Sequence, residues 1–182
     1  MPAFADSMLL TKEMNTQLLE WYGDSESKWS LAYRASRDGF SSQAFHECCD
    51  GRGENIIVIL ANDYVFGGYS PLSWTSNGEW LSSGGRSWLF SLTNPSNVPA
   101  RFPTKGSRQG EMYGDARYGP IYGAGNDIRV ISNCHQTEGS YTKLGHSYDT
   151  SRCDAAQNHN FLCGRKSFLV TDYEVFVRAR AE

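Results

Sequence analysis

No stretch of this chain is apolar for anything near the roughly 20 residues that cross a bilayer. The longest, Ile56 to Ala61, spans six, so no membrane insertion is expected. Charge of one sign is missing too: 17 Lys+Arg against 20 Asp+Glu leave a net charge of -3. Without a basic stripe to neutralise phosphates, nucleic acid and anionic membrane surfaces are not expected partners. The N-terminal residues Met1 to Asp6 lack a basic segment followed by an apolar one, and no Asn meets the N-x-[ST] rule. The reading is a cytoplasmic protein. Five cysteines cannot all pair, and a chain of 182 residues folds without disulfides, so reduced thiols are expected.

The motifs of several enzyme classes are absent as well. Neither G-x-S-x-G nor G-x-x-x-x-G-K-[ST] occurs, which removes the nucleophile elbow and the phosphate-cradling loop. The glycines between Gly114 and Gly125 precede no Lys-Ser/Thr step and no apolar helix, so they are read as turn formers and points of close strand approach. No C-x2-4-C pair exists to hold zinc. His46 is expected to satisfy a backbone carbonyl rather than to catalyse. The vicinal Cys48-Cys49 fall near a helix C-terminus, where the helix dipole disfavours a thiolate, and Cys48 is read as a small buried apolar residue.

What is present is material for one core, with 40% hydrophobic residues in a length typical of one domain. Leu10, Met14, Leu18 and Trp21 paint one stripe on a helix from about Thr11 to Tyr22, stopped by Gly23-Asp24. A second, short helix starts at Ser41 or Ser42, turns Ala44, Phe45 and Cys48 one way, and ends at Asp50-Gly51. Trp29 to Tyr33 alternates as a strand, and Asp38-Gly39 turns the chain after it. Asn55 to Leu60, Asn62-Asp63 and Tyr64 to Tyr69 read as a hairpin. Strands are also expected at Trp88 to Leu92, Ile128 to Ile131, Phe168 to Val170 and Tyr173 to Val177, with the segment from Asn94-Pro95 to about Gly125 as loop. The class is α+β, mainly β: a two-sheet antiparallel β-sandwich with flanking short helices, occupying residues 4–177 between tails at 1–3 and 178–182.

Several segments in their order resemble one known family. They are Trp29-Ser-Leu-Ala-Tyr33-Arg-Ala-Ser-Arg-Asp38-Gly39-Phe40, Phe45-His46 with Cys49-Asp50-Gly51, and Val65-Phe66-Gly67-Gly68-Tyr69. Leu89 to Leu92, Gly119 to Ile128, Ser140-Tyr141 and Asp172 to Phe176 follow. Together they are similar to the TLDc domain of oxidation-resistance proteins, closest to its single-domain invertebrate and protist members. The resemblance implies a two-sheet sandwich with peripheral helices and no established catalytic residues. It also implies protection against oxidative stress and binding to the vacuolar proton pump. The chain departs from familiar members at Glu111 to Asp127, where tyrosines and charges replace an aliphatic, glycine-rich segment.

Two groups of side chains are candidate sites. The first is an alternative to the protein-binding, noncatalytic role: Glu111 and Asp127, hard oxygen donors in loops, could hold Ca²⁺ open to two sugar hydroxyls beside Tyr113, Tyr118 or Tyr122. That would make a calcium-dependent lectin, a homodimer because agglutination needs two sites, where the protein-binding module is a monomer with no cofactor. The competing reading is that Asp127 caps a turn and Glu174 pairs with a surface arginine. The second group is Trp74 and Trp80, which bracket Thr75 to Glu79. Two exposed tryptophans would signal a partner surface, and two buried ones packing.

Overall fold

The computed structural model describes residues 3–106, 110–157 and 159–179. The chain begins with helix α1 (Lys12–Tyr22), where the Thr11 side chain accepts the Met14 N–H and left-handed Gly23 donates its N–H to Leu19 O. Strand β1 (Trp29–Arg34) runs into the four-residue helix α2 (Ala35–Asp38), closed by Gly39. Helix α3 (Ser42–Cys49) follows, with Ser41 accepting the Ala44 N–H. Next comes the hairpin of β2 (Asn55–Ala61) and β3 (Tyr64–Ser70). Its turn residues Asn62 and Asp63 both take positive φ, 50° and 66°, the twist that suits a two-residue hairpin.

The remaining strands are β4 (Asn77–Leu81), β5 (Trp88–Ser91), β6 (Ala100–Pro103), β7 (Met112–Asp115), β8 (Tyr118–Tyr122), β9 (Ile128–Ile131), β10 (Ser140–Tyr141), β11 (Ser167–Phe168) and β12 (Asp172–Arg178). They form two antiparallel six-stranded sheets, in the orders β1-β12-β2-β3-β5-β6 and β11-β10-β9-β8-β7-β4. The expected sandwich is the fold found.

The first sheet is buried on both faces, which explains why β2 reads as one apolar run rather than an alternation. Ile57, Ile59, Phe66, Leu89, Tyr173 and Val175 point at the second sheet and meet Met112, Tyr122, Ile128 and Val130 from it. Ile56, Val58, Val65, Phe90 and Phe176 point the other way, under Leu18, Met14 and Trp21 of α1 and under Phe4. Two cores thus share one sheet. The second sheet has its core on one side alone.

The structure corrects several expectations. The stretch from Asn94 to Gly125 is not loop, because it contains β6, β7 and β8. Pro103 ends the edge strand β6, and Pro120 sits where the β8–β9 register shifts between Tyr118 and Ile121, so neither interrupts a regular ladder. The strand expected at Phe168 to Val170 shrinks to Ser167–Phe168. On α3 the buried face is Ser42, Phe45, His46 and Cys49, while Ala44 and Cys48 lie half-buried at its margin. Ala3 and Arg178 are no tail: the Ala3 carbonyl accepts the Trp29 N–H, and Arg178 closes β12. Residues 1–2 and 180–182 lie outside the described residues.

Candidate functional site

The candidate residues divide into three environments. Glu111 precedes β7 and is 2% exposed. Its Oε1 accepts the Ser82 hydroxyl and the Gly85 N–H, and its Oε2 accepts the hydroxyls of Ser83 and Ser87. Burial alone pushes this carboxyl up, but hydrogen bonding from the Ser83 and Ser87 hydroxyls and from the Gly85 and Ser83 backbone outweighs it and holds the group below the ordinary 4.5. Asp127, 0% exposed, accepts N–H groups from Gly145, Ser147 and Tyr148 at 2.9 to 3.2 Å. There burial wins and the carboxyl is pushed up, with the backbone donors opposing it.

Each carboxylate therefore organises a loop, 82–87 for Glu111 and 145–148 for Asp127. Tyr148 ties the two together: its N–H serves Asp127, and its hydroxyl donates to the Glu111 carbonyl at 2.9 Å. The oxygen atoms that would have faced Ca²⁺ face hydrogen-bond donors instead. Among the described residues no three His, Cys, Asp or Glu side chains gather as a metal site requires. Tyr122 of the proposed sugar platform is fully buried between the sheets.

The sign of the Glu111 effect gives a testable expectation. A carboxyl held below its unfolded value stabilises the fold above about pH 4.5, and that stabilisation is lost as pH falls through the lowered value. In Glu111→Gln the Ser87 hydroxyl can reverse to accept from the amide, but Ser83 Oγ already accepts the Arg86 and Ser87 N–H groups and cannot, so the loss near neutral pH should be about 1 to 3 kcal/mol. The gap in thermal midpoint between wild type and variant should close on acidification below about pH 4.5. A gap independent of pH would contradict this account.

The second environment is α3 and its thiols. His46 Nε2 lies 3.0 Å from both the Asp115 and Tyr118 carbonyl oxygens, and Nδ1 lies 2.8 Å from Asp50 Oδ1. The ring ties α3 to the β7–β8 turn, the carbonyl-satisfying place expected for it. Burial pushes Cys49 up strongly, Cys134 to about 12 and Cys163 to about 11, and it raises half-buried Cys48 as well. At a pKa of about 11 roughly one thiol in 10,000 is ionised at pH 7. These sulfurs are poor nucleophiles where they stand. Cys49, not Cys48, is the fully buried member of the vicinal pair.

The third environment is the outward face of the second sheet. Cross-strand register places Trp80 opposite Tyr113, Tyr113 opposite Ile121, Ile121 opposite Arg129, and Arg129 opposite Tyr141. Residues in direct register share a face, so these five form one row across β4, β7, β8, β9 and β10. The Trp80 and Tyr113 rings lie 4.7 Å apart, and Trp80 is 47% exposed. The Arg129 guanidinium stands 4.1 Å from the Tyr141 ring centroid and 5.4 Å from that of Tyr118. Arg117 also lies over Tyr118, 5.6 Å from its centroid, and Lys143 lies near Tyr141. Cations and rings alternate along this face.

The two tryptophans thus part company. Trp74 is buried, 1% exposed, with its indole N–H donating to Asn55 Oδ1 at 3.0 Å, and it is no partner surface. Trp80 is the exposed one. Sequence reasoning singled out Trp80, Tyr113 and Tyr118 but missed Arg129 and Tyr141. The alternation of Ile128-Arg129-Val130 carries the signal for Arg129, an outward cation between two inward apolar residues.

No helix of the chain is long and apolar enough to cross a membrane, among the described residues. No curated protein matches the chain. A family model does: the TLDc domain matches residues 3–178, the span that builds both sheets and the three α-helices among the described residues. Two antiparallel six-stranded sheets with short flanking helices, matched almost from end to end, place this chain in the TLDc domain family.

Proposed function

We propose that this chain is a noncatalytic protein-binding module of oxidative-stress protection in the cytosol, engaging the vacuolar proton pump through the outward face of its second sheet. The stress role and the pump come from the family; the face comes from the geometry. The observation that carries the reading is the asymmetry of the sandwich. The first sheet is covered outside by α1, while the second presents exposed Trp80 against half-buried Tyr113, in line with Arg129 and Tyr141. Trp, Tyr and Arg are the residues that concentrate binding energy at protein interfaces. The buried thiols support the noncatalytic part, since protection through their own redox chemistry would need a thiolate that burial disfavours.

The test is binding of the full chain to purified vacuolar proton pump. Trp80→Ala and Tyr113→Ala should each weaken it about tenfold or more, as expected for central aromatic anchors. Peroxide survival of cells expressing these variants should fall in parallel. Pump affinity unchanged in both variants would remove this face from the reading, and no measurable affinity in wild type would remove the pump. The carbohydrate alternative has no comparable support, because the Glu111 and Asp127 oxygens already accept hydrogen bonds.

A further inference from the structure

Arg129 differs from Arg117 and Arg165. Arg117 is held by Asp115 through two hydrogen bonds, 3.0 and 2.7 Å, and Arg165 by Glu138. Arg129 has no carboxylate partner among the described residues. Its Nε is buried without a hydrogen bond, and the group is fixed by the rings of Tyr118 and Tyr141. Tyr141 is itself anchored, its hydroxyl accepting from Asn126 Nδ2 at 2.9 Å. With Nε buried, the two Nη groups, which make no hydrogen bond among the described residues, are left to receive a planar anion end-on in bidentate fashion. Lys143 adds a second positive charge on the same flank.

We propose that Arg129 is the docking point for a side-chain carboxylate from an acidic segment of a protein partner, with Trp80 and Tyr113 taking the apolar side chains of the same segment. This rests on the protein-binding reading and names the chemistry of the partner. Charge complementarity selects the occupant. Among the described residues Arg129 and Lys143, set among rings, have no carboxylate partner, while the whole chain carries -3. Isolated carboxylates suit that arrangement, and a continuous polyphosphate does not, since it needs a row of cations.

The test is nuclear magnetic resonance on the labelled full chain, following the Arg129 Nε–H and the Trp80 indole N–H. The probes are a short acetylated peptide of alternating glutamate and serine with one central tyrosine, its glutamine counterpart, and an oligothymidylate. The glutamate peptide should shift the Arg129 Nε–H saturably, more weakly as salt is added, and the glutamine peptide should not. Read at the Trp80 indole N–H, Arg129→Lys should weaken binding of the glutamate peptide about tenfold, because an ammonium lacks the guanidinium fork, and Arg129→Gln should abolish the preference for the glutamate over the glutamine peptide. Both variants should keep the wild-type thermal midpoint within a few degrees, since the Arg129 side chain makes no hydrogen bond among the described residues.

Equal response to the glutamine peptide, tighter binding of the oligothymidylate, or no response at Arg129 would overturn the proposal. So would a concentration-dependent dimer that Arg129→Gln dissolves, which would give the face to a second copy. If the Trp80 indole responds to both peptides while Arg129 stays silent, the carboxylate site falls and the binding face stands. Pump affinity that survives Trp80→Ala and Tyr113→Ala would remove the face from the protein-binding reading, whatever the peptides do at Arg129.

Discussion

Gly67→Ala should unfold this protein at markedly lower temperature or urea concentration, with a loss of about 3 kcal/mol or more. Gly67 lies at the centre of β3, opposite Val58 of β2 and Phe90 of β5. A Cβ placed there would stand 1.9 Å from the Ile57 carbonyl oxygen and 3.0 Å from Phe90 Cζ. The carbonyl belongs to the backbone of the neighbouring central strand, so relief requires moving the β2–β3 ladder itself. Protein interiors yield little to such insertion. Gly68→Ala provides the internal comparison. Its Cβ would meet side-chain atoms, Tyr122 Cζ at 2.6 Å and Leu89 Cδ2 at 2.8 Å. Side chains can shift, so the loss should be smaller, about 1 to 3 kcal/mol. Equilibrium urea unfolding of both variants checks the order, and Gly67→Ala costing less than Gly68→Ala would contradict it.

The Gly67-Gly68 pair could be read in the sequence as part of a hairpin strand, but not as the place where β2 closes in on one side and Tyr122 on the other. That distinction runs through the molecule. Features set by adjacent residues were legible: Thr11 and Gly23 bound α1, Ser41 caps α3, and Asn62-Asp63 turn the hairpin. Their physics is local, a hydrogen bond to a residue three positions on or a positive φ. The strands β6, β7 and β8 were not legible, because proline and glycine between Asn94 and Gly125 weaken any strand pattern. Pro120 is tolerated because a register shift leaves no ladder bond for it to donate.

The candidate site divides in the same way. Trp80 and Tyr113 could be proposed from composition, whereas separating exposed Trp80 from buried Trp74 needs the partner Asn55 supplies from 19 positions away. Glu111 and Asp127 look like free loop carboxylates until the loops 82–87 and 145–148 close over them. The Arg129 placement emerges from register across five strands, and each pairing lies beyond the reach of local pattern.

The second large effect is expected where β1 meets β12. Arg34 stands in register with Glu174, and its Nε–H donates to Glu174 Oε1 at 2.8 Å. Glu174 faces the α1 side of the first sheet and is 0% exposed. It also accepts the Ser7 hydroxyl at 2.7 Å and the Met8 N–H at 2.8 Å, while the Arg34 guanidinium reaches the Asp6 carbonyl. One ion pair thereby holds two strands and the N-terminal segment together, buried rather than at the surface position expected for Glu174. Arg34→Met leaves a buried carboxylate with two neutral donors, and an uncompensated buried charge costs about 3 to 5 kcal/mol. Glu174→Met alone strands the Arg34 charge, though Arg34 keeps some solvent contact at 12% exposure, so its loss should be smaller. The double variant should be less destabilised than the sum of the singles by about 2 kcal/mol, because removing both charges removes the desolvation penalty along with the attraction. Urea unfolding of the four proteins measures that coupling. Additive losses would mean that Ser7, Met8 and the surrounding apolar packing, rather than the ion pair, fix the N-terminal segment to the sheet.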